Sequence, residues 1–270
     1  MAPIIPRQHG AWSILISCFV LGLAVGGGIG AETVLFLIST IAGFFAQHAA
    51  SLYLRLLKKI DKRWKKALSW AIGYSSVFLS AGALLIILYD LWFLLLLGFL
   101  SLLFIATTLI LRQKRKEFTT TGELFEIIGL CLVAPAAEYA TSGIFSIQTV
   151  GLWIICTFFF GGSVFHVRYL VRRHTETAGP FLVRVRAGLS SIVYHLIVFA
   201  TSVGLCTIMG ILPSLAPIAL LPVTFKALWA VGRRYEAALP IRRIGYVELI
   251  HTLIFVFLTI LAFHMPERAT

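Results

Sequence analysis

Residues 91–116, LWFLLLLGFLSLLFIATTLILRQKRK, decide the fold class of this chain. The first 21 of these residues carry no charged side chain, and four of the last five are lysine or arginine. A run of about 20 apolar residues is long enough to cross the hydrocarbon core of a bilayer as a helix. Lysine and arginine favour the cytoplasmic end of such a helix. The stretch therefore predicts a transmembrane helix over 91–111 that ends at the cytoplasmic face.

The composition extends this pattern to the whole chain. Of its 270 residues, 59% are hydrophobic and 13% are charged, and the mean hydropathy is +0.95. Soluble domains average about 25% charged residues, so the composition excludes an ordinary soluble fold. The net charge of +12 lies between apolar segments, which indicates membrane topology and not nucleic-acid binding. We predict an all-α, polytopic membrane helix bundle that forms a single transmembrane domain over residues 1–270.

Nine apolar segments predict about nine transmembrane helices joined by short loops. They cover residues 11–30, 32–57, 67–88, 91–111, 123–141, 147–171, 187–207, 210–231 and 246–264. The eighth segment contains Pro213, Pro217 and Pro222, and we expect it to be kinked or broken.

Basic residues test this number of segments independently. Of the 23 lysines and arginines, 21 are grouped with the ends of the second, fourth, sixth and eighth segments, and Lys226 is counted with the eighth. The loops after the first, third, fifth and seventh segments contain none. The positive-inside rule therefore predicts a multi-pass protein of the cell membrane, with the N-terminus in the cytoplasm and the C-terminus outside.

Histidine and glutamate concentrate in the third of the predicted helices nearest the cytoplasm. Ionisable residues within a membrane span are costly and by default indicate a functional site. Acid–base or catalytic roles are predicted for His9, His48, Glu123 and His166. Ligand-binding roles are predicted for Arg55, Glu126, Arg168, Arg172, His195, Glu248 and His251.

One simpler arrangement and two cofactor hypotheses remain open for these residues. Glu248 and His251 form an E-x-x-H pair, which di-iron bundles carry on two helices, whereas this chain has one. We favour a simpler arrangement, in which Glu248 pairs with a loop arginine such as Arg243 and His251 is hydrogen-bonded to a carbonyl. Four span histidines keep haem ligation open. No metal ligand or cofactor is assigned, and the four cysteines, all in apolar runs, predict buried thiols.

The second and sixth segments show a weak internal similarity. Both run from a Phe-Phe pair, at residues 44–45 and 158–159, to a basic pair, at residues 58–59 and 172–173, with an offset of 114 positions. A duplicated bundle would produce such a repeat. Together with the proline-rich eighth segment, it keeps a transporter for a small anion open as an alternative function.

The opening stretch Pro6-Arg7-Gln8-His9-Gly10-Ala11-Trp12 resembles the N-terminal motif of the YwiC-like family of bacterial membrane proteins. Three shorter stretches fit the same resemblance: Gly122-Glu123-Leu124, Ala134-Pro135-Ala136 and His166-Val167-Arg168. The resemblance implies an integral protein of the bacterial inner membrane and no particular activity.

The nine-helix plan is also similar to the UbiA-type prenyltransferase superfamily. That resemblance implies aspartate-rich Mg²⁺ motifs at 48–61 and 161–173, but these ranges hold only Asp61, and the chain has no asparagine. We therefore expect the fold with a changed site: a cavity facing the cytoplasm and lined by His, Glu and Arg. It would bind or modify an isoprenoid, a quinone or another lipid-like molecule, with Arg168 and Arg172 on the head. Membrane lipids are the other expected partners.

Overall fold

The structure, a computed structural model, describes residues 3–6, 8–114, 119–172, 180–233 and 240–265, apart from the side chains of Arg172 and Ile241. Every regular element in these ranges is helical, which confirms the all-α prediction. The helices are α1 (His9–Gly26), α2 (Ala31–Lys58), α3 (Trp64–Tyr89), α4 (Phe93–Gln113), α5 (Thr120–Cys131), α6 (Val133–Ser142), α7 (Ile147–Arg172), α8 (Phe181–Thr207), α9 (Leu221–Gly232) and α10 (Ile241–His264), with a 3-10 turn at Ala216–Leu220 before α9.

Eight helices in the described ranges are long and apolar enough to cross a membrane, if α5 and α6 count as one span, Thr120–Ser142. They indicate a multi-pass membrane protein whose outer surfaces are suited to contact with lipid. The ninth apolar helix, Ala216–Gly232, is shorter. It replaces the predicted 210–231, because proline lacks the N–H that continues a helix and is tolerated only near its start. Pro217 is the second residue of the 3-10 turn, and Pro222 lies in the first turn of α9.

The chain divides into two compact units, Met1–Phe145 and Ser146–Thr270. The first contains α1 to α6 and the second contains α7 to α10. The two copies of the predicted repeat fall in different units, because α2 belongs to the first unit and α7 to the second, and the repeat itself stays a prediction. From α2 onward, each unit has four apolar segments in the same chain order.

Small residues hold α1 against α6 in the first unit. Gly22 and Gly26 are four positions apart on α1, which is the spacing that lets membrane helices approach closely. A Cβ added at Gly22 would lie 2.6 Å from the Cβ of Ala137 and 2.8 Å from the backbone nitrogen of Glu138. A Cβ at Gly26 would collide with the Thr141 side chain. The two helix backbones are therefore in near contact.

The predicted fifth span is broken where α5 meets α6. Pro135 cannot donate a backbone hydrogen bond, and its ring crowds the carbonyl four residues earlier, that of Cys131. The backbone forms a tighter turn at this point, in which the Leu132 N–H donates to Gly129 O, three residues earlier, at 3.3 Å. The result is two short helices in place of one, and α6 takes the small-residue contact with α1.

The opening stretch and the turn between α2 and α3 are the remaining features of the first unit. Trp12 donates from Nε1 to Pro6 O at 3.1 Å and packs edge-on against Phe44, with 5.2 Å between the ring centroids. It thereby fastens the opening stretch to α2. In the exposed turn between α2 and α3, hydrogen bonds from Arg63 lower the pKa of Asp61 to about 2.

Candidate functional site

A cavity of about 330 Å³ lies within the second unit, between the ends of α7 and α9 and the first turns of α10. Its polar lining consists of His166, Lys226, Arg233, Arg243, Glu248 and His251. Three of these residues, His166, Glu248 and His251, are site residues that the sequence predicts.

Glu248 is the centre of the polar contacts in this cavity. Its Oε1 accepts a hydrogen bond from Lys226 Nζ at 2.6 Å, and its Oε2 accepts one from Ser163 Oγ at 2.9 Å. His166 Nε2 lies 3.8 Å from Oε1, which is too long for a hydrogen bond but within electrostatic range. The side chain of Lys226 is 8% exposed and that of Glu248 is 18% exposed. The carboxylate on α10 thus contacts side chains of two other helices, α7 and α9.

Local structure explains how Lys226 reaches Glu248. The prolines delay the start of α9 to Leu221, and Pro222 suits the first turn because the N–H that it lacks would have no partner there. Lys226 then lies on the face of α9 that is buried together with Ala227 and Ala230. On α10, Glu248 lies two turns after the start of the helix at Ile241. The partner of Glu248 is therefore this span lysine and not Arg243, the arginine that the sequence suggests.

Three histidines of the second unit differ in their hydrogen bonds. His251 Nδ1 donates to Val247 O and His195 Nδ1 donates to Ser191 O, both at 2.7 Å. A carbonyl can only accept, so the proton is on Nδ1 in both rings. His166 Nδ1 and His195 Nε2 are buried and have no hydrogen-bond partner among the described residues. Buried polar atoms are normally paired, so these two nitrogens require an explanation.

His195 lies next to α7 and not on the cavity lining. A Cβ added at Gly162 would lie 2.7 Å from His195 Nε2, so only glycine leaves room for this imidazole. Tyr194 stacks on Phe165, with 4.5 Å between the ring centroids, and this contact holds α8 against α7.

An aromatic wall and an arginine rim complete the cavity. Phe225 and Trp229, one turn apart on α9, stack with 5.9 Å between their centroids, and both line the cavity. Arg233 follows the end of α9 and Arg243 lies in the first turn of α10, both on exposed positions. The cavity therefore combines buried polar groups, apolar rings and accessible guanidinium groups.

The first unit contains a second ion pair of the same length. Arg112, in the last turn of α4, donates to Glu126 Oε1 at 2.6 Å. The Thr119 side chain caps α5 by accepting from Gly122 N at 3.1 Å. The carboxylate of Glu123 in this first turn suits the positive end of the helix dipole. His48 on α2 is close enough to Arg112 for an electrostatic interaction.

The two ion pairs occupy similar places in the chain order of the two units, and the repeat itself stays a prediction. Lys226 follows Arg112 by 114 positions, which is the offset of the predicted repeat. In both units the cation is on the third helix of the repeat and the glutamate on the fourth. His48 and His166 are both on the first. Each unit therefore has a histidine, a cation and a glutamate on three different helices in the same order, although the histidines are 118 positions apart and the glutamates 122.

The remaining predicted residues lie outside the second unit's cavity or outside the described side chains. His9 begins α1 and is exposed, as is Arg55 on α2, which acts electrostatically on His48. Arg168 is half-buried on α7, and the Arg172 side chain lies outside the described residues. One shared site for His48 and Glu123 with His166 and Glu248 would join residues of both units, and it stays a prediction.

The sequence reasoning missed Lys226 and Ser163 as site residues. Lys226 was counted as a topology charge although six apolar or small residues follow it before the loop. A lysine inside an apolar helix is itself the signal that could have found it. Ser163 gives no such signal, because serine is common in membrane helices. Within the described ranges, no group of three His, Cys, Asp or Glu side chains is placed to hold a metal ion.

Comparison with known proteins finds a family match for the first half of the chain. Residues 5–138 match the family model described as YwiC-like protein. The matched stretch lies within the first unit and ends in α6. No curated protein matches the chain.

Proposed function

Since the chain belongs to the YwiC-like membrane protein family over residues 5–138, we propose that it binds a lipid-like molecule, and that its second unit holds the head of this molecule. The supporting observation is the cavity around Glu248, with Lys226 and His166 in its wall. The ligand class is an amphipathic molecule with an anionic head, such as an isoprenoid phosphate.

The charge of the cavity favours an anionic head. The lining contains three cationic side chains, Lys226, Arg233 and Arg243, and one carboxylate, that of Glu248, which Lys226 contacts at 2.6 Å. Guanidinium groups present planar, bidentate donors to phosphate or carboxylate oxygens. These two arginines take the role that the sequence suggested for Arg168 and Arg172.

The walls favour a hydrocarbon body behind that head. Phe225 and Trp229 are 65% and 58% exposed and belong to an apolar helix, so a chain leaving the cavity would pass along their rings. Ligand cavities of about 300 to 1,000 Å³ with apolar walls and a few convergent polar groups are typical of small-molecule sites. His166 would bond the head through its buried Nδ1, which would give that nitrogen the partner it otherwise lacks. Small-anion transport and haem or metal binding stay alternatives.

Exchange of one rim arginine tests the proposal. Arg243→Gln removes a charge-assisted hydrogen bond worth about 1.5–3 kcal/mol, so we expect the affinity for farnesyl monophosphate to fall at least about tenfold. Arg242→Gln is the matched control, because Arg242 is the exposed neighbour of Arg243 and does not line the cavity. Native mass spectrometry in mild detergent measures both variants. Equal binding by wild type, Arg243→Gln and Arg242→Gln would refute the site.

The proposed orientation has its own test. With the N-terminus in the cytoplasm, the turn between α2 and α3 is cytoplasmic and the turn between α1 and α2 is outside. We expect Lys62→Cys to react with an impermeant maleimide only after the membrane is opened, and Gly28→Cys to react in intact cells. Gly28 tolerates the exchange because a Cβ there meets nothing within 4 Å. The reverse labelling pattern would show that the protein has the opposite orientation in the membrane.

A further inference from the structure

A separate cavity of about 400 Å³ lies within the first unit, between α2, α3, α4 and the α5–α6 span. We propose that it is a second ligand site, for a single hydrocarbon chain that ends in an uncharged hydroxyl or carbonyl group. The proposal does not depend on the site in the second unit, because every lining residue belongs to the first unit.

The shape of the cavity fits a chain. Its lining runs along α4 from Leu94 to Thr108 and along α2 from Phe36 to Gln47. At about 1.5 Å of helix per residue, these stretches are about 21 Å and about 17 Å long. One leaflet of the hydrocarbon core is about 15 Å deep. The cavity is therefore as long as one lipid chain in its leaflet.

The two longest polar side chains of the lining, Gln47 and Glu126, give the chain a direction. The other polar lining residues carry small hydroxyl groups and are spread along the cavity: Ser39, Thr40, Ser101 and Thr108. Phe36, Leu94 and Ala136 line the end where α2 and α4 begin. Gln47 and Glu126 line the opposite part, toward the end of α4 and the start of α5. The body of the ligand would contact the phenylalanine and leucine side chains, and its polar end would meet the amide of Gln47.

The polar end of the ligand is uncharged because the lining offers it no free counter-charge. Glu126 Oε1 already accepts from Arg112 at 2.6 Å, so this pair is neutral as a unit. Gln47 and Thr108 are neutral donors and acceptors. A charged head placed here would lose its hydration without gaining an opposite charge, which is costly.

Two glycines in the lining support the proposal that a ligand fills this cavity. Glycine is a poor helix former, and in a bundle it is usually explained by close packing, as at Gly129, where a Cβ would lie 2.8 Å from Phe104 Cβ. Gly82 on α3 and Gly98 on α4 have no such neighbour: a Cβ at Gly98 meets nothing within 4 Å, and one at Gly82 meets only Ser39 Oγ at 4.0 Å. Both line the cavity, and both leave it open.

Filling the cavity from these glycines is the test. Gly98→Leu and Gly82→Leu place a side chain in the cavity without a backbone clash, from two different helices. Gly73→Leu is the matched control, since it is also in α3, a Cβ there meets nothing within 4 Å, and it is outside the cavity lining. All three exchanges favour the helical state, and thermal melting confirms that each variant is folded.

The probe is farnesol, a prenyl alcohol, added to each protein in phosphatidylcholine nanodiscs, with bound molecules identified by native mass spectrometry after release. We expect wild type and Gly73→Leu to bind farnesol equally, and Gly98→Leu and Gly82→Leu to bind it at least tenfold more weakly. Unchanged farnesol binding in both cavity variants would overturn the proposal. So would phosphatidylcholine as the sole adduct, because ordinary bilayer lipid would then fill the cavity. Arg243→Gln should bind farnesol like wild type, so the two sites can fail separately.

Discussion

Replacing Lys226 with methionine should lower the free energy of unfolding by about 3 kcal/mol. The exchange leaves the Glu248 carboxylate without the Nζ that donates to it at 2.6 Å, while Lys226 is 8% exposed. Removal of one partner from a buried ion pair typically costs about 3–5 kcal/mol, because the other charge stays desolvated. We take the lower end of that range because the Glu248 side chain keeps 18% exposure.

Two further variants separate this cause from a packing defect. Lys226→Met/Glu248→Gln removes both charges and should recover most of the loss, since glutamine can still accept from Ser163. Arg63→Met breaks an ion pair of similar length, 2.7 Å, whose arginine is 78% exposed, and should change the free energy by less than about 1 kcal/mol. Titration with SDS, followed by circular dichroism, measures all three. A double variant as unstable as Lys226→Met would show that the methionine itself is the defect.

Gly22→Leu should unfold the first unit at a much lower SDS fraction than wild type. Any Cβ at this position would lie 2.6 Å from Ala137 Cβ and 2.8 Å from Glu138 N, and it would also contact Ala134 O. Two of these atoms are backbone, so α1 and α6 must separate. Overpacking usually costs about 1–3 kcal/mol, and we expect at least about 3 kcal/mol where a backbone has to move.

Gly10→Leu is the matched control for this exchange. It lies in the same helix α1, gains the same helix propensity, and its Cβ would meet nothing within 4 Å. It should unfold like wild type, or slightly later. Coincident SDS transitions for Gly22→Leu and Gly10→Leu would show that the α1–α6 contact does not support the fold.

The helical class and most helix positions follow from hydropathy, because a lipid environment requires long apolar helices. The predicted 32–57 and 147–171 correspond closely to α2, Ala31–Lys58, and α7, Ile147–Arg172. The broken eighth segment follows from its prolines, but its 3-10 start does not, since several backbone arrangements satisfy the same residues. The break between α5 and α6 at the single residue Leu132 was likewise not predicted, although Pro135 was visible.

The contacts of the candidate site were harder to predict than its residues. His166, Glu248 and His251 were selected for their cost in a membrane, and they line one cavity. The partner of Glu248 was sought in the nearest arginine, Arg243, because sequence distance was the available guide. Lys226 is 22 positions away, and only the packing of α9 beside α10 brings it to the carboxylate. The close contact at Gly22 depends on α6, more than a hundred positions later, and was not anticipated.

The short helix α9 also constrains how the protein is made. A lysine near the middle of a membrane segment opposes insertion by the translocon by about 2.5–3.5 kcal/mol, and α9 with its 3-10 turn offers 17 apolar-rich residues to offset it. Glu248, which neutralises that lysine, is synthesised 22 residues later. Stable integration of α9 should therefore wait for α10, so that the last two helices enter the bilayer as one unit and a ribosome-bound chain that ends before Glu248 should leave α9 at the membrane surface.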